Sequence, residues 1–398
     1  MHRVEFVALV AMMFATIAFS IDAMLPALPE IGRELAPEDI NRAQLILTSF
    51  VLGMGLGTFF TGPLSDTFGR KPAILAGSVV YIAAAATAWA SSTLEVVLAA
   101  RIVQGIGAAA PRVVAMAVIR DLYVGRQMAQ LVSIVMMIFT IFPAVAPMIG
   151  MGIIALSGWR AIFLAFVLFS LITVVWMGLR LPESLPPENR RPFRGAALWG
   201  AVKEMLTHPT VRLSILVQAL CLGALFTMLT MVQPVYDVLY GRAESFPFWF
   251  AGVALVAGSA SLLNALLVVR LGMRRMVTWA LGAQIGLSGT MLILSQTPVT
   301  PDAGFALFLV WQTTVFFMAG LTLGNLNAIA MEPMGHIAGM AASVIGSIAT
   351  VSAAAIAAPV GLMFDGSLLP LAGGIFVLCC LAFGLMLYMG RIEDRVPA

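Results

Sequence analysis

The chain has 398 residues, of which 61% are hydrophobic and 10% charged, and its formal net charge is +3. Soluble proteins average about 25% charged residues, and a soluble domain of this length cannot keep so much apolar surface out of water. The composition therefore excludes an ordinary soluble protein, and so small a net charge gives no indication of nucleic-acid binding. Apolar runs of about twenty residues indicate membrane helices rather than the alternating strands of a barrel.

Windows of about twenty apolar residues predict transmembrane helices in two sets of six, on either side of one long polar stretch. The first set lies near residues 6–28, 44–62, 73–91, 95–118, 128–151 and 160–181. The second set lies near residues 211–233, 247–269, 276–296, 303–328, 339–362 and 369–390. The predicted architecture is an all-α membrane protein with an N-terminal six-helix bundle over residues 1–181, a cytoplasmic linker over 182–210 and a C-terminal six-helix bundle over 211–398.

The distribution of Lys and Arg among the loops predicts the orientation, because short cytoplasmic loops carry an excess of both. With the N-terminus in the cytoplasm, the outside loops contain only Arg33, Arg42, Arg160 and Arg242. We therefore expect both termini and the linker to be cytoplasmic. The first apolar run is too long for a cleaved signal peptide, so we expect it to remain as a membrane helix.

Two short sequences recur at matching positions in the two halves. Ala144–Gly150 (AVAPMIG) in the fifth predicted helix is matched by Ala357–Gly361 (AAPVG) in the eleventh. The loop sequence Phe68–Lys71 (FGRK) is matched by Leu271–Arg275 (LGMRR) after the eighth helix. Repeats related by an axis along the membrane normal are a known transporter architecture. The recurrence therefore favours two repeats in the same orientation.

The first predicted helix contains one acidic residue well inside the membrane, Asp22. At a rise of 1.5 Å per residue, it lies about 24 Å along the helix from Phe6. A charge at the bilayer centre costs roughly 2.5–3.5 kcal/mol on insertion scales, so such residues usually face a cavity and mark ion pathways. We predict that Asp22 accepts a coupling proton, in competition with a cationic substrate. The alternative is a residue at the helix end, before Pro26, that caps the helix or faces water.

The second predicted helix and its following loop contain the sequence GPLSDTFGRKP, over Gly62–Pro72. The glycines of this helix would allow a neighbouring helix to approach closely. Pro63 is predicted to end the helix, and the acid that follows it can bond to helix N-termini and to cations. A conformational gate is therefore predicted from Gly62, Asp66, Gly69, Arg70 and Lys71. The alternative is an ordinary positively charged cytoplasmic loop with an incidental acid.

The fourth predicted helix contains two arginines, Arg101 and Arg112. Their spacing is close to three whole turns, so they share one face of the helix. Arg101 lies about 9 Å along the helix from Glu95, and Arg112 lies about 25 Å from it. We therefore predict that Arg101 is electrostatically coupled to Asp22 at a similar depth. Arg112 either extends toward the cytoplasmic headgroups or anchors a carboxylate or phosphate of a substrate.

The fifth predicted helix contains Pro143, Pro147 and Gly150 within a few residues. Each proline removes a backbone hydrogen bond, which suits a helix that bends or seals between two states of a transporter. Prolines are also common in ordinary membrane helices, which is the alternative interpretation.

Further side chains in candidate cavity helices are predicted to contact a substrate together with Arg112. They are Met116, Met136, Gln218, Met228, Asn325 and Asn327. Flexible methionines suit a pocket that accepts varied apolar ligands, but they also serve as lipid-facing residues. The amide side chains could equally form hydrogen bonds between helices.

Several of these motifs resemble those of the bicyclomycin-resistance-type drug:proton antiporters of the major facilitator superfamily. The resemblance is carried by Asp22–Pro29, Gly62–Pro72, Arg101–Ala108, Arg120–Tyr123, Phe142–Gly150 and Gly158–Arg160. It runs through nearly the whole N-terminal half. It is looser in the C-terminal half, where it is carried by Asn325–Ala328 and Ala338–Ser343.

This resemblance implies the major facilitator fold and proton-coupled export of small organic compounds across a bacterial inner membrane. It also implies a monomer without a cofactor, whose partners are a small-molecule substrate, protons and the lipid bilayer. The chain departs from the family pattern at Thr58, Thr67 and Met116, where glutamine, arginine and arginine are usual. It has Arg112 instead, so the cargo of better-known relatives is not carried over.

Three other functions are compatible with parts of the sequence. An importer on the same scaffold would use Asp22 for proton symport. An intramembrane enzyme would need His, Cys or paired acids at membrane depth, whereas His2, His208 and His336 lie near cytoplasmic helix ends. A membrane assembly factor without transport activity is the third.

Overall fold

The computed structural model describes residues 1–393, and the last five positions of the predicted C-terminal bundle, including Arg395, lie outside this range. Within the described residues the regular secondary structure is helical, without strands. The helices of the N-terminal part are α1 (Arg3–Asp22), α2 (Leu28–Leu35), α3 (Leu45–Phe68), α4 (Arg70–Ala90), α5 (Leu94–Leu122), α6 (Gly125–Ser157) and α7 (Ala161–Arg180). They are followed by α8 (Gly195–Thr207), α9 (Pro209–Pro234), α10 (Phe246–Leu271), α11 (Met273–Leu294), α12 (Pro301–Met331), α13 (Ala338–Leu362) and α14 (Leu369–Glu393).

In the described part of the chain, 11 stretches are long and apolar enough to cross a membrane. One of them, Pro301–Leu362, has 62 residues and consists of α12 and α13 joined by a 3₁₀ turn over Glu332–Ile337. A membrane helix needs about 20 residues, so this stretch is long enough for two crossings. Counted in this way, the described residues contain the twelve membrane helices that the sequence predicts, and the protein is a multi-pass membrane protein.

The chain forms two compact units, Met1–Gly195 and Ala196–Ala398. The stretch predicted to be a linker, residues 182–210, contains a 3₁₀ turn over Pro187–Asn189 and the helix α8. The buried residues of α8 are Leu198, Ala201, Val202 and Met205. Its Glu204 carboxylate lies 2.7 Å from His336 Nε2, in the turn after α12. The stretch therefore includes a packed helix of the second unit, and the linker bounds stay a prediction.

Close packing in the first unit depends on glycines of α3 and α5. In this unit α3 packs along α5, α4 packs against α5 and α7, and α1 packs against α6. A side chain at Gly53 would overlap the backbone of Ile102, and one at Gly105 would overlap the backbone of Phe50. The close helix approach predicted from the glycines of the second helix is therefore confirmed.

The second unit is built around α9, which packs against α12, α13 and α14. Gly272, between α10 and α11, has a φ of +82°, and Gly69, between α3 and α4, has a φ of +105°. Both angles lie in the region of backbone conformations that favours glycine. The two loop sequences that match between the halves thus contain the same kind of turn between consecutive helices.

Three predicted helix ends lie six residues from the observed ends. The fifth predicted helix, placed to residue 151, continues in α6 to Ser157. Pro63 does not end its helix, because α3 continues through it to Phe68 and stops where Gly69 reverses the chain. The first helix, predicted to reach residue 28, ends at Asp22 and is followed by a 3₁₀ turn, Leu25–Ala27, and by α2. Pro26 lies in the first turn of the 3₁₀ segment and Pro29 in the first turn of α2, where the missing N–H of a proline breaks no helical hydrogen bond.

Candidate functional site

Asp22 is the last residue of α1, and its side chain is 5% exposed. Among the described residues, no hydrogen bond or ion pair reaches its carboxylate. A side chain at Gly150 of α6 would overlap the carbonyl group of Ala23, so α6 crosses the chain directly beside Asp22. Asp22 therefore lies at a helix end, as the alternative interpretation held, but it is buried rather than facing water. Without a bonded partner, its carboxyl group can gain or lose a proton without breaking a contact.

Arg101 is fully buried and donates to three acceptors on different parts of the first unit. Its Nη2 donates to the carbonyl of Ser20 at 2.8 Å, and its Nε donates to the carbonyl of Ile46 at 3.2 Å. Its Nη1 donates to Gln104 Oε1 at 2.8 Å, and the guanidinium lies 4.3 Å from the ring centroid of Phe50. The guanidinium thus joins α1, α3 and α5.

The bond to Ser20 explains how Arg101 affects the position of Asp22. The last four carbonyls of a helix have no partner within the helix, and Ser20 is two residues before the end of α1. Arg101 supplies the missing donor. The predicted coupling between Arg101 and Asp22 is therefore not an ion pair, since the guanidinium binds the backbone of α1 beside the carboxylate and holds the helix end in place.

Arg101→Lys is expected to keep the charge but weaken this attachment of α1. A lysine presents a compact ammonium group instead of a planar fork, and it cannot reach all three acceptors. Each buried acceptor left without a donor costs about 1–3 kcal/mol. We expect a lower thermal midpoint and reduced transport, measured by tryptophan fluorescence and by flux in proteoliposomes. Arg42→Lys, which changes an exposed arginine paired with Glu95, is the matched control and should leave both quantities unchanged.

Arg112 lies on the same face of α5 as Arg101 but differs from it in exposure and in hydrogen bonding. Its side chain is exposed, and its Nη1 lies 3.9 Å from the sulfur of Met54 on α3. Among the described residues, no oxygen atom accepts a hydrogen bond from its guanidinium. Met116, one turn further along α5, packs at the margin of an apolar cluster that α6 also contacts through Met136. The structure thus places two of the predicted substrate contacts, Met116 and Met136, at one apolar cluster of the first unit.

The other predicted substrate contacts lie in the second unit. Met228 is fully buried, and Gln218 is buried with no partner for its Oε1 in the described part of the chain. Asn325 donates to Asn264 Oδ1 at 2.7 Å, which joins α12 to α10 as an interhelical hydrogen bond. Asn327 is exposed. Its substrate role, like that of the other residues, stays a prediction.

The predicted gate is centred on Arg70, the first residue of α4. Its Nη1 donates to the carboxylate of Asp66 and, at 2.8 Å, to Ser65 Oγ. Its Nε donates to Asp121 Oδ2 at 2.9 Å, near the end of α5. Lys71 Nζ donates to the carbonyl of Gly178 at 2.6 Å. The loop and its flanking residues thus join the ends of α3, α4, α5 and α7 through charged side chains. Gly62 lies about two turns before the loop in α3.

Two acids of this network were not among the predicted gate residues, Asp121 and Glu183. Glu183 Oε1 accepts a hydrogen bond from the backbone N–H of Arg70 at 2.9 Å, and Oε2 accepts one from that of Lys71 at 3.1 Å. The carboxylate therefore caps the N-terminus of α4, where unpaired N–H groups favour a negative charge. Ser184 donates to Asp121 Oδ2 at 2.9 Å. Asp121 lies in the motif Arg120–Tyr123 that carries the family resemblance, although no role was predicted for it, and Glu183 was marked only by its position just after a predicted helix end.

Pro143 and Pro147 lie inside one uninterrupted helix, α6, together with Gly150. The missing donors of the two prolines leave carbonyl groups one turn earlier without their helical partners. The helix continues nonetheless, as membrane helices often do through proline. Its close approach to Ala23 makes α6 the element that packs directly against the end of α1.

Two units of six membrane helices, a buried carboxyl group at the end of α1 and a charged network at the ends of α3, α4 and α5 define the class of this protein, a polytopic membrane carrier. The chain belongs to the Major Facilitator Superfamily, whose family model matches residues 8–359.

Individual proteins agree with this assignment. The chain is 33% identical over 345 residues to a bicyclomycin resistance protein homolog of Haemophilus influenzae. The alignment covers 83% of this chain and 82% of the relative. It is 27% identical over 348 residues to a chloramphenicol resistance protein of Pseudomonas aeruginosa, covering 79% and 81% of the two chains. A crystal structure of a D-xylose-proton symporter has the same fold, with a TM-score of 0.76, 14% identity and coverage of 96% and 97%. The resemblance to bicyclomycin-resistance-type transporters is confirmed.

Proposed function

We propose that this protein is a proton-coupled antiporter that exports small organic compounds, drugs among them, from the cytoplasm by alternating access. The observation that carries the proposal is Asp22, a buried carboxyl group without a bonded partner at the end of α1. Ionisable residues in membrane helices usually mark ion and proton pathways. The names of the two relatives, which describe resistance to bicyclomycin and to chloramphenicol, support drugs as cargo and export as the direction.

Exchange requires that the carrier change state with either a proton or a cargo molecule bound. Asp22 binds the proton, and Arg101 fixes the end of α1 that carries it. The helix α6, which crosses beside Asp22, is the element through which protonation is transmitted. The network of Asp66, Arg70 and Asp121 holds the ends of α3, α4 and α5 together. Such a connection allows the three helices to move as one rigid body when the carrier changes state.

The setting of this activity is a bacterial inner membrane, with both termini in the cytoplasm. The excess of Lys and Arg in the loops assigned to the inside supports this orientation. The protein acts as a monomer, its partners are the small-molecule cargo, protons and lipid, and it catalyses no chemical reaction. Labelling of single cysteines introduced at Ser92 and Arg126 from either side of the membrane tests the orientation, since the first should react from outside and the second from inside.

Transport by membrane vesicles tests the direction. Everted vesicles that contain the protein should accumulate chloramphenicol when an inside-acid pH gradient is imposed, and a protonophore should collapse the accumulation. Vesicles without the protein are the control. Uptake stimulated by an inside-alkaline gradient in right-side-out vesicles would instead indicate a proton-coupled importer.

A further inference from the structure

Arg112 lies on the face of α5 that points away from the exposed apolar side of that helix. The exposed large apolar residues of α5 before Arg112 are Val96, Val103 and Ile106, and Leu122 is exposed at its C-terminal end. At about 100° per residue, Arg112 is roughly 120–180° around the helix from the first three and only about 20° from Arg101. The other residues on its face, Arg101, Gly105 and Ala108, are buried. The exposure of Arg112 therefore marks an opening on the inward face of the helix rather than contact with lipid.

The guanidinium extends toward the middle of α5. A side chain at Gly105 would lie 2.7 Å from the backbone nitrogen of Met54, so Met54 lies beside residue 105 of α5. Arg112 is roughly 10 Å further along the helix, yet its Nη1 lies 3.9 Å from the sulfur of Met54. Helical side chains lean toward the N-terminus of their own helix, which is the direction this contact requires. The alternative that Arg112 extends toward the cytoplasmic headgroups does not agree with this geometry.

Arg112 also lacks the acceptors that satisfy the other membrane-embedded arginine. Arg101 donates to two carbonyls and an amide oxygen, whereas the one polar contact of Arg112 among residues 1–393 is a weakly accepting thioether sulfur. A guanidinium presents up to five donors in a planar fork that matches a carboxylate or a phosphate. Arg112 keeps this fork free and accessible beside Met54, an adaptable apolar residue.

We propose that Arg112 binds the negatively charged group of the cargo, so that small organic anions with an apolar body, such as aromatic carboxylates, are preferred substrates. The proposal rests on the export function above and assigns the chemical class of its cargo. The bidentate fork supplies the charge recognition, and Met54, which lies beside the guanidinium, contacts the apolar body.

The anion site is separate from the proton site. Arg101 binds the backbone two residues before Asp22, and Arg112 lies about 16 Å further along α5 than Arg101. That separation is between backbone positions, and among the described residues no hydrogen bond or ion pair joins the Arg112 guanidinium to Asp22. An anion at Arg112 therefore binds to a different side chain from the proton. The two ligands are coupled through the state of the carrier, in contrast to the direct competition for one carboxylate predicted from the sequence.

A matched pair of ligands tests the proposal at equilibrium, without any proton gradient. Chloramphenicol is neutral, and its hemisuccinate ester adds a carboxylate to the same body. Purified full-length protein in nanodiscs is titrated with each by microscale thermophoresis. We expect the wild type to bind the hemisuccinate about tenfold to hundredfold more tightly, as a charge-assisted hydrogen-bonded pair provides.

Substitutions at Arg112 should remove this preference selectively. Arg112→Gln is expected to bind the two compounds alike, with the affinity for chloramphenicol unchanged within about twofold. Arg112→Lys should retain part of the preference as a point charge. Arg126→Gln removes the same charge from an exposed position at the start of α6 and should retain the full preference.

Equal binding of both compounds by the wild type, or no binding of the hemisuccinate, would overturn the anion site. A preference that survives Arg112→Gln, or that is lost in Arg126→Gln, would overturn it as well. The export function fails by a different result, the absence of proton-driven flux in vesicles. If vesicles show proton-driven flux but the protein has no anion preference, the export function stands and the anion site is rejected. If the protein prefers the anion but shows no proton-driven flux, the anion site stands and the export function is rejected.

Discussion

Asp22→Asn is expected to abolish proton-coupled transport while the protein remains folded and inserted. Asparagine has nearly the same shape, but its amide cannot take up and release a proton. Because no bonded partner of the carboxylate exists among the described residues, the substitution breaks no contact. A buried charge without a partner is costly, so its removal should leave the thermal midpoint unchanged or raise it. Flux in proteoliposomes under a pH gradient and thermal unfolding of the purified protein measure the two effects.

The control for this substitution is Glu38→Gln, which removes the same charge from an exposed acid shortly after α2. It should leave both transport and stability unchanged. Asp22→Glu retains a titratable group and should keep part of the coupled flux. If Asp22→Asn retained full coupled flux, the carboxyl group would have no part in the mechanism.

Gly150→Ala is expected to disrupt transport strongly through the contact between α6 and α1. An added methyl group would overlap the carbonyl of Ala23, so one of the two helices would have to move. Overpacking of this kind costs typically about 1–3 kcal/mol, and here the displacement falls directly beside Asp22. We expect a lower thermal midpoint and loss of most coupled flux, measured in the same proteoliposomes.

The helix α6 provides a matched control for this change. Gly152 is two residues away, and a side chain there would have no atom within 4 Å. Gly152→Ala should therefore behave like the wild type, or be slightly more stable because alanine favours the helix. Equal transport and stability in the two alanine variants would show that the contact with Ala23 does not matter.

The helical framework could be predicted from the sequence because apolar length alone determines a membrane helix. The ends of the helices were harder, as Pro63 shows. A proline is tolerated inside a membrane helix when neighbouring groups satisfy the freed carbonyl, so the residue type did not determine the end. Gly69 did, through its positive φ.

The partners of charged residues depend on packing that periodicity does not contain. Asp121 and Glu183 lie far along the chain from Arg70, and only the fold brings the three together. For Arg112 the sequence left two directions open, and only the structure shows that its Nη1 lies 3.9 Å from the sulfur of Met54 on α3. Asn325 and Asn327 show the same limit within one helix. They are about 200° apart around the helix, so one bonds to α10 and the other is exposed.

The central claim is that protons move opposite to cargo through Asp22, and proton movement in response to a cargo gradient tests it most directly. Proteoliposomes that contain the purified protein and a pH-sensitive dye are loaded with chloramphenicol and diluted into drug-free buffer of the same pH. We expect efflux to draw protons inward, so that the lumen of wild-type vesicles becomes acidic while that of the Asp22→Asn vesicles does not change. A lumen that becomes alkaline, or equal acidification with Asp22→Asn, would contradict the claim.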